Sequence, residues 1–298
     1  MNSQDGPVGG LPGPRWSAGE LDVRVDGLRL HVLDARRRDP AGRDRRTLVM
    51  LHGMSSHGDA WRPVIAAMTA ADRAVCPDLR GHGQSDWTTA GYRLADYAHD
   101  VMGILDALGI GKIDLIGQSI GARVAMVLAA RLGTRLRTMT LLDTGPEVSR
   151  SAAEKARTVF LSSKTQTAFS DEDELKAFLR KEQPEWADES IEVRAARLYR
   201  RNWAGKLVNR GDPDVGWLLG RAGLQERADM WQGLRVTPAS VCIIRGQRSF
   251  LLDDELAARM RDTAADATYL QLPHGHYIPY EAPHALAATI DHFLQTHP

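Results

Sequence analysis

The sequence predicts an α/β fold: a mostly parallel sheet with helices on both faces and a helical segment inserted late in the chain. Three observations predict it. Short β-rich runs alternate with helical patterns over most of the 298 residues, the rhythm of parallel strands joined by crossover helices. The apolar run Ile113 to Ile116 leads into Gly117-Gln118-Ser119-Ile120-Gly121 and then an alanine-rich helical stretch, a strand–turn–helix junction. The rhythm breaks from about Gly145 to Thr237, where helical patterns dominate and Trp186, Trp203, Trp217 and Trp231 gather.

Residues 1–15 are rich in Gly and Pro and lack an apolar run, so they read as a disordered tail rather than a signal peptide. Leu21–Val25 and Leu28–Leu33 flank Asp26-Gly27, a hairpin signal. The arginine-rich stretch from Arg36 to Arg46 reads as a solvated loop more readily than as a polyanion site. Thr47–Leu51 is a buried strand ending at His52-Gly53. A helix around Ala60–Ala70 and a strand at Ala74–Asp78 follow. Val101, Ile104, Leu105 and Leu108 stand at helical spacing, with Gly109 and Gly111 as stop signals.

Ala122–Leu132 is apolar enough to be a central, buried helix, and Thr138–Asp143 is the next strand. Within the inserted segment, Ser170-Asp171-Glu172-Asp173 precedes Leu175, Phe178 and Leu179 as a capping-box-like start. The tryptophans there read chiefly as packing residues. Val241–Arg245 and Thr268–Leu272 are strands around an Asp254–Arg261 helix, and Leu286, Ile290, Phe293 and Leu294 line one face of the last helix. The expected organisation is a core of 16–144 and 238–298, with a helical cap over 145–237.

Lysine plus arginine equals aspartate plus glutamate, 38 of each, so the charge balance points to neither nucleic acid nor an anionic membrane. No apolar run approaches the roughly 18 residues of a membrane span. Cys76 and Cys242 sit in apolar strand-like runs as small core residues, which fits a reducing cytoplasm. The expected partner is a small-molecule substrate, and the expected state a monomer or homodimer.

A serine with glycines two residues to either side, on a strand-to-helix turn, reads as a nucleophile elbow. A Cβ at Gly117 or Gly121 would meet neighbouring backbone. The Ile120 N–H is then placed to face a developing oxyanion. Ser119 needs a base, and His276 sits in the loop Leu272-Pro273-His274-Gly275-His276-Tyr277 after the last strand. His274 is its competitor. The pair does not find a third metal ligand, so no metal and no cofactor is expected.

The base needs a carboxylate to fix its tautomer. Asp143, at the end of the Thr138 strand, stands where open α/β sheets place ligand chemistry. Asp253 and Asp254 are the alternatives and suit a helix N-terminus better. A second oxyanion donor is expected from His52-Gly53-Met54-Ser55, with the Met54 N–H the first choice. His52, Gly53, Ser55, Gln118 and Trp217 are the expected substrate-facing residues. Arg194, Arg197 and Arg201 share a helical face and read as solvated among Glu189 and Glu192.

His52-Gly53, then Asp78-Leu79-Arg80-Gly81-His82-Gly83-Gln84-Ser85-Asp86, then the elbow and Gly275-His276 stand in an order that resembles the α/β-hydrolase superfamily. The resemblance covers nearly the whole chain after the tail. It implies an eight-stranded sheet with one antiparallel edge hairpin, a cap between strands six and seven, and a chain order of Ser, acid, His. The family's commonest acid position, three residues beyond the glycine after strand seven, holds Ser249 here; dehalogenase-like relatives place the acid after strand six, as Asp143 would be. Ser119 disfavours relatives with an aspartate nucleophile. What the resemblance implies is a serine esterase or lactonase, with carbon–carbon cleavage, cofactor-free perhydrolysis and ligand binding without catalysis as rivals.

Overall fold

The computed structural model describes residues 15–39, 46–148, 152, 154, 168–215 and 226–297. The N-terminal tail, the centre of the arginine-rich loop and Trp217 lie outside the described residues.

Eight strands form the main sheet: β1 (Trp16–Val25), β2 (Leu28–Arg37), β3 (Thr47–Leu51), β4 (Arg73–Pro77), β5 (Ile113–Gln118), β6 (Leu136–Leu142), β10 (Ser240–Gly246) and β11 (Ala267–Leu272). Their spatial order is β1-β2-β4-β3-β5-β6-β10-β11. The β1–β2 hairpin turns at Asp26-Gly27 and lies antiparallel to the rest, whereas every pair from β4 to β11 is parallel. Both hairpin strands run ten residues, longer than the apolar pattern suggested. The outer strand shows solvent a row of polar side chains, Ser17, Glu20 and Asp22 among them, which hides its period.

Helices cover both faces. On one, α2 (Leu94–Ala107), α3 (Ile120–Leu132), α6 (Arg227–Val236) and α7 (Asp254–Thr263) pack over Val49, Leu115, Met139 and Ile243. On the other, α1 (Arg62–Ala67) and α9 (Pro283–Thr296) enclose Leu48, Met50, Ile116 and Ile244. β5, at the centre, is buried at every position because it is covered from both sides. Both cysteines are free and buried, and burial pushes the Cys242 thiol up to about 12.

The segment between β6 and β10 is not purely helical. Besides α4 (Glu172–Glu182) and α5 (Asp188–Leu198), it contains a three-stranded sheet of β7 (Ala168–Phe169), β8 (Tyr199–Arg201) and β9 (Leu207–Asn209). Strands of two or three residues are too short to show a period of two. The segment has its own small core, built on Phe169, Leu175, Leu179, Ile191 and Leu207. Asp171 caps α4 by accepting from the Glu174 N–H at 2.9 Å. Among the described residues, no helix is long and apolar enough to cross a membrane.

The loop after β4 is a buried polar knot. Asp78 accepts from the Gly58 N–H at 2.6 Å and the Gln84 N–H at 2.7 Å, while burial raises its carboxyl pKa. Arg80 grips Asp100 with two hydrogen bonds of 2.6 Å. His82 packs edge-on against His52, ring centres 5.1 Å apart. Burial holds His82 down at about 4 and pushes His52 well below the ordinary imidazole range. Both rings stay neutral in the fold and charge near pH ~6.5 once unfolded.

The contribution of His82 is therefore full above pH ~6.5 and is lost as the pH falls toward ~4, at up to about 1.4 kcal/mol per pH unit, and that of His52 changes in the same direction. Urea unfolding at pH 7, 6 and 5 should show this slope, and His82→Gln should reduce it by about one proton's worth. Equal slopes in the two proteins would contradict the assignment.

Candidate active site

The carboxyl ends of β3, β5, β6 and β10 lie side by side along one edge of the sheet, and the backbone there is strained. Among the described residues, four non-glycine positions adopt a positive φ: Asp26, Ser55, Ser119 and Asp143. Asp26 belongs to the hairpin turn. The other three follow β3, end β5 and end β6. L-residues pay about 1–3 kcal/mol for such conformations, so they persist where the surrounding structure over-determines them.

Ser119, at φ 54° and ψ −116°, is the turn between β5 and α3. Its N–H donates to the Leu142 carbonyl at 3.1 Å, and its own carbonyl accepts from Ala122 and Arg123 in the first turn of α3. The two elbow glycines are required by close approach. A Cβ on Gly117 would lie 2.4 Å from the Gly121 carbonyl oxygen, and one on Gly121 would lie 2.2 Å from the Leu51 carbonyl oxygen. The first turn of α3 thus rests directly on the end of β3.

Asp143 is fully buried. Its Oδ1 accepts from the Gly246 N–H at 2.9 Å, and its Oδ2 lies 2.7 Å from His276 Nδ1. Residues separated by 133 positions in sequence are brought to a short hydrogen bond by the β6–β10 pairing and the loop after β11. Asp253 and Asp254 are engaged elsewhere. Asp253 caps α7 through the Leu256 N–H at 2.8 Å. Asp254 accepts from Tyr269 and Gln271 and pairs with Arg245.

The loop bearing His276 is fastened by Glu281, from the short helix α8 (Ile278–Glu281). Glu281 accepts from the Gly275 N–H at 2.7 Å and the Tyr277 N–H at 3.2 Å. The His274 ring faces this carboxylate at 3.8 Å, whereas the Asp143 carboxylate is met by His276. Sequence reasoning missed Glu281, because an acid beside Pro279 reads as a surface residue.

Gly53 stands beside Ser119: a Cβ placed on it would lie 3.4 Å from Ser119 Cβ and 1.9 Å from Gln118 Oε1. Met54 and Ser55 follow on the same side, both partly exposed, and Ile120 is buried at the start of α3. Two expected substrate-facing residues have other roles. His52 is buried, with Nδ1 donating to the Gly53 carbonyl at 2.7 Å and Nε2 accepting from the Leu79 N–H at 3.0 Å; its ring is spent on tying the Gly53 loop to the loop after β4. The buried Gln118 amide donates to the His276 carbonyl at 3.2 Å, so it positions the histidine loop. Trp217 lies outside the described residues.

Arg194 departs from the solvated face expected of it. Arg197 pairs with Glu20 at 3.0 Å and Arg201 bonds the Ser170 carbonyl, but Arg194 turns inward. It donates to the Ser55 carbonyl at 3.0 Å and to the Tyr280 hydroxyl at 3.3 Å, and its guanidinium lies over the Trp186 ring. The inserted segment is thereby clamped to the loop that carries Gly53 and Met54. An open cleft of about 780 Å³ lined by Glu147, Trp231 and Arg259 contains none of these residues.

The family described as alpha/beta hydrolase fold matches residues 46–295 of the chain. A 2-(acetamidomethylene)succinate hydrolase of Mesorhizobium japonicum is 26% identical over 256 residues, covering 83% of this chain and 87% of the relative. Lipase LipV of Mycobacterium tuberculosis is 28% identical over 270 residues, covering 88% and 96%. Among solved structures, E-2-(acetamidomethylene)succinate hydrolase superposes with a TM-score of 0.79 at 22% identity, over 93% of this chain and 99% of that one. A thioesterase domain from the curacin biosynthetic pathway gives 0.72 at 22% identity, over 92% and 99%.

The glycine contacts separate two kinds of constraint. Gly121→Ala meets backbone that cannot rotate away and should cost about 1–3 kcal/mol. Gly53→Ala meets the movable end of Gln118, so it should cost less than about 1 kcal/mol while shifting the low-field proton NMR signal of His276 Nδ1–H. Thermal unfolding and one-dimensional proton spectra check both. A Gly121→Ala midpoint equal to wild type would contradict the close approach.

Proposed function

The chain belongs to the α/β-hydrolase fold family, and on that premise we propose that it is a serine hydrolase. Its substrate is a carboxylic ester or lactone of small to medium size, cleaved through an acyl-enzyme. The observation that carries this reading is the 2.7 Å contact between His276 Nδ1 and the fully buried Asp143 carboxylate, beside a strained serine at the end of the central strand. A carboxylate on Nδ1 fixes the tautomer whose Nε2 lone pair can accept a proton, and that nitrogen lies 3.4 Å from the Gln118 amide nitrogen.

In this reading His276 Nε2 takes the Ser119 hydroxyl proton as Oγ attacks the carbonyl carbon. The carbonyl π electrons move to oxygen, and the Ile120 and Met54 N–H groups receive the oxyanion. Collapse breaks the bond to the alcohol oxygen, which leaves with the proton from His276. Water then attacks the acyl-enzyme, gives a proton to His276, and releases the acid as Ser119 regains its proton. Asp143 stays ionised and stabilises the imidazolium.

Other reactions share the same nucleophile and base. The relatives' names span a lipase, a thioesterase domain and a hydrolase of a succinate derivative. Ester chemistry is preferred because it asks only for a nucleophile, a base and an oxyanion site, and each has a named residue here.

Hydrolysis of short p-nitrophenyl esters and of lactones tests the reading. Ser119→Ala should abolish turnover, and Asp143→Asn should lower kcat about 10³–10⁴-fold. Asp253→Asn should change kcat by no more than about twofold and keep the α7 cap, because an Asn oxygen accepts from the Leu256 N–H as Asp does. Full activity in Ser119→Ala would sink the proposal, and loss in Asp253→Asn with none in Asp143→Asn would reassign the acid.

A further inference from the structure

A guanidinium one helical turn beyond Ser119 has nothing in the described structure to neutralise it. Arg123 lies four residues after Ser119, and its N–H donates to the Ser119 carbonyl at 3.2 Å. Residues four apart share a helix face, and helical side chains lean toward the N-terminus. Arg123 therefore stands on the helix face that leads back toward Ser119. From Ile120 to Ala129, Arg123 is the one position of α3 that is not buried.

Among the described residues the Arg123 side chain forms no hydrogen bond and no ion pair. It is nonetheless withdrawn from water enough that burial alone lowers it to about 10, still a cation at neutral pH. Three other arginines withdrawn from water are matched to carboxylates. Arg80 grips Asp100, Arg62 meets Asp59 and Glu20, and Arg73 holds Asp34. A desolvated charge with no partner destabilises the fold, and such groups gather at functional sites.

The charge balance around the nucleophile points the same way. Arg194, on the other side of Ser55, meets no carboxylate among the described residues. The carboxylate of Asp143 is engaged by His276 and the Gly246 N–H. Arg123 and Arg194 are therefore both without a carboxylate partner among the described residues. A planar guanidinium with all five donors uncommitted matches a carboxylate through two parallel hydrogen bonds. One such group balances one negative charge, which favours a carboxylate over a phosphate monoester of nearly two.

We propose that Arg123 receives a carboxylate of the substrate, so that the preferred substrate is an ester that also carries a free acid group. The inference rests on the serine-hydrolase reading and narrows its substrate class. The bound carboxylate would anchor one end of the molecule while the scissile carbonyl lies at Ser119, a use of remote binding energy for orientation.

The experiment compares monomethyl adipate, which bears a carboxylate, with methyl heptanoate, a neutral ester of similar length, by methanol release. Wild type should show the higher kcat/KM on monomethyl adipate. Arg123→Gln should reduce the ratio of the two kcat/KM values about 10–100-fold, the range for a lost hydrogen-bonded charge pair. Arg123→Lys should recover part of it by restoring charge without the fork. Glutarate should inhibit methyl heptanoate hydrolysis competitively in wild type and far less in Arg123→Gln.

A wild-type ratio near one, or a ratio unmoved in Arg123→Gln, overturns the inference. Inhibition by inorganic phosphate but not by glutarate overturns it as well. Thermal unfolding of Arg123→Met guards against a purely structural role: the midpoint should hold or rise, and a fall of more than about 5 °C would assign Arg123 to packing and overturn it. Ser119→Ala keeps the two readings apart. Retained turnover in that variant defeats the serine mechanism, whereas a Ser119-dependent enzyme indifferent to the carboxylate defeats only the role of Arg123.

Discussion

The hydrogen bond between Asp143 and His276 is the constraint around which the rest of the structure is arranged. A carboxylate buried to this degree is tolerable only with its lone pairs occupied, and its partners come from two distant places. The Gly246 N–H at the end of β10 takes one oxygen, and His276, from the loop after β11, takes the other. Both contacts require β10 to lie between β6 and β11 in parallel register. The histidine loop must then be held at a fixed height, which Glu281 and the Gln118 amide do from opposite sides.

The same region stores backbone strain. Ser55, Ser119 and Asp143 take left-handed conformations at the ends of three adjacent strands. Each would relax if isolated. The parallel ladder from β3 to β10 prevents this, because the Ser119 N–H is bonded to the end of β6 and the Asp143 N–H to the end of β10. Rigidity of the sheet is thus converted into fixed positions for Ser119 and Asp143. The buried helix α3, apolar on nearly all sides, secures the turn from behind.

Much of the core was legible in sequence because its signals are local. Thr47–Leu51 is an apolar run bounded by a glycine turn, Asp26-Gly27 marks the hairpin, and glycines two residues to either side of Ser119 mark the elbow. The site was legible only where each residue carries its own local sign. The choice between Asp143 and Asp253 could be argued from strand ends and caps, but their separation is a matter of three-dimensional pairing. His52 and Gln118 were expected to face substrate because a polar side chain at these strand ends looks like a ligand contact. Only the fold reveals that their partners are Leu79 and His276. Glu281, the inward turn of Arg194 and the small sheet of β7, β8 and β9 depend on contacts between distant segments, and no periodicity announces them.

The electrostatics of the site sort its charged groups by what they already hold. Asp143 and Glu281 are saturated by partners within the chain, so neither is free to meet a ligand. His52 and His82 are kept neutral by burial and act as hydrogen-bonding struts. Arg194 spends donors on a carbonyl and a hydroxyl and lies against aromatic rings, contacts that orient a cation without neutralising it. Arg123 has none of these. Arg80, Arg62 and Arg73 are each matched to a carboxylate, whereas Arg194 and Arg123 meet none among the described residues. These two guanidinium groups, one bonded to the Ser55 carbonyl and the other one helical turn beyond Ser119, are the charges that the proposed carboxylate-bearing substrate would balance.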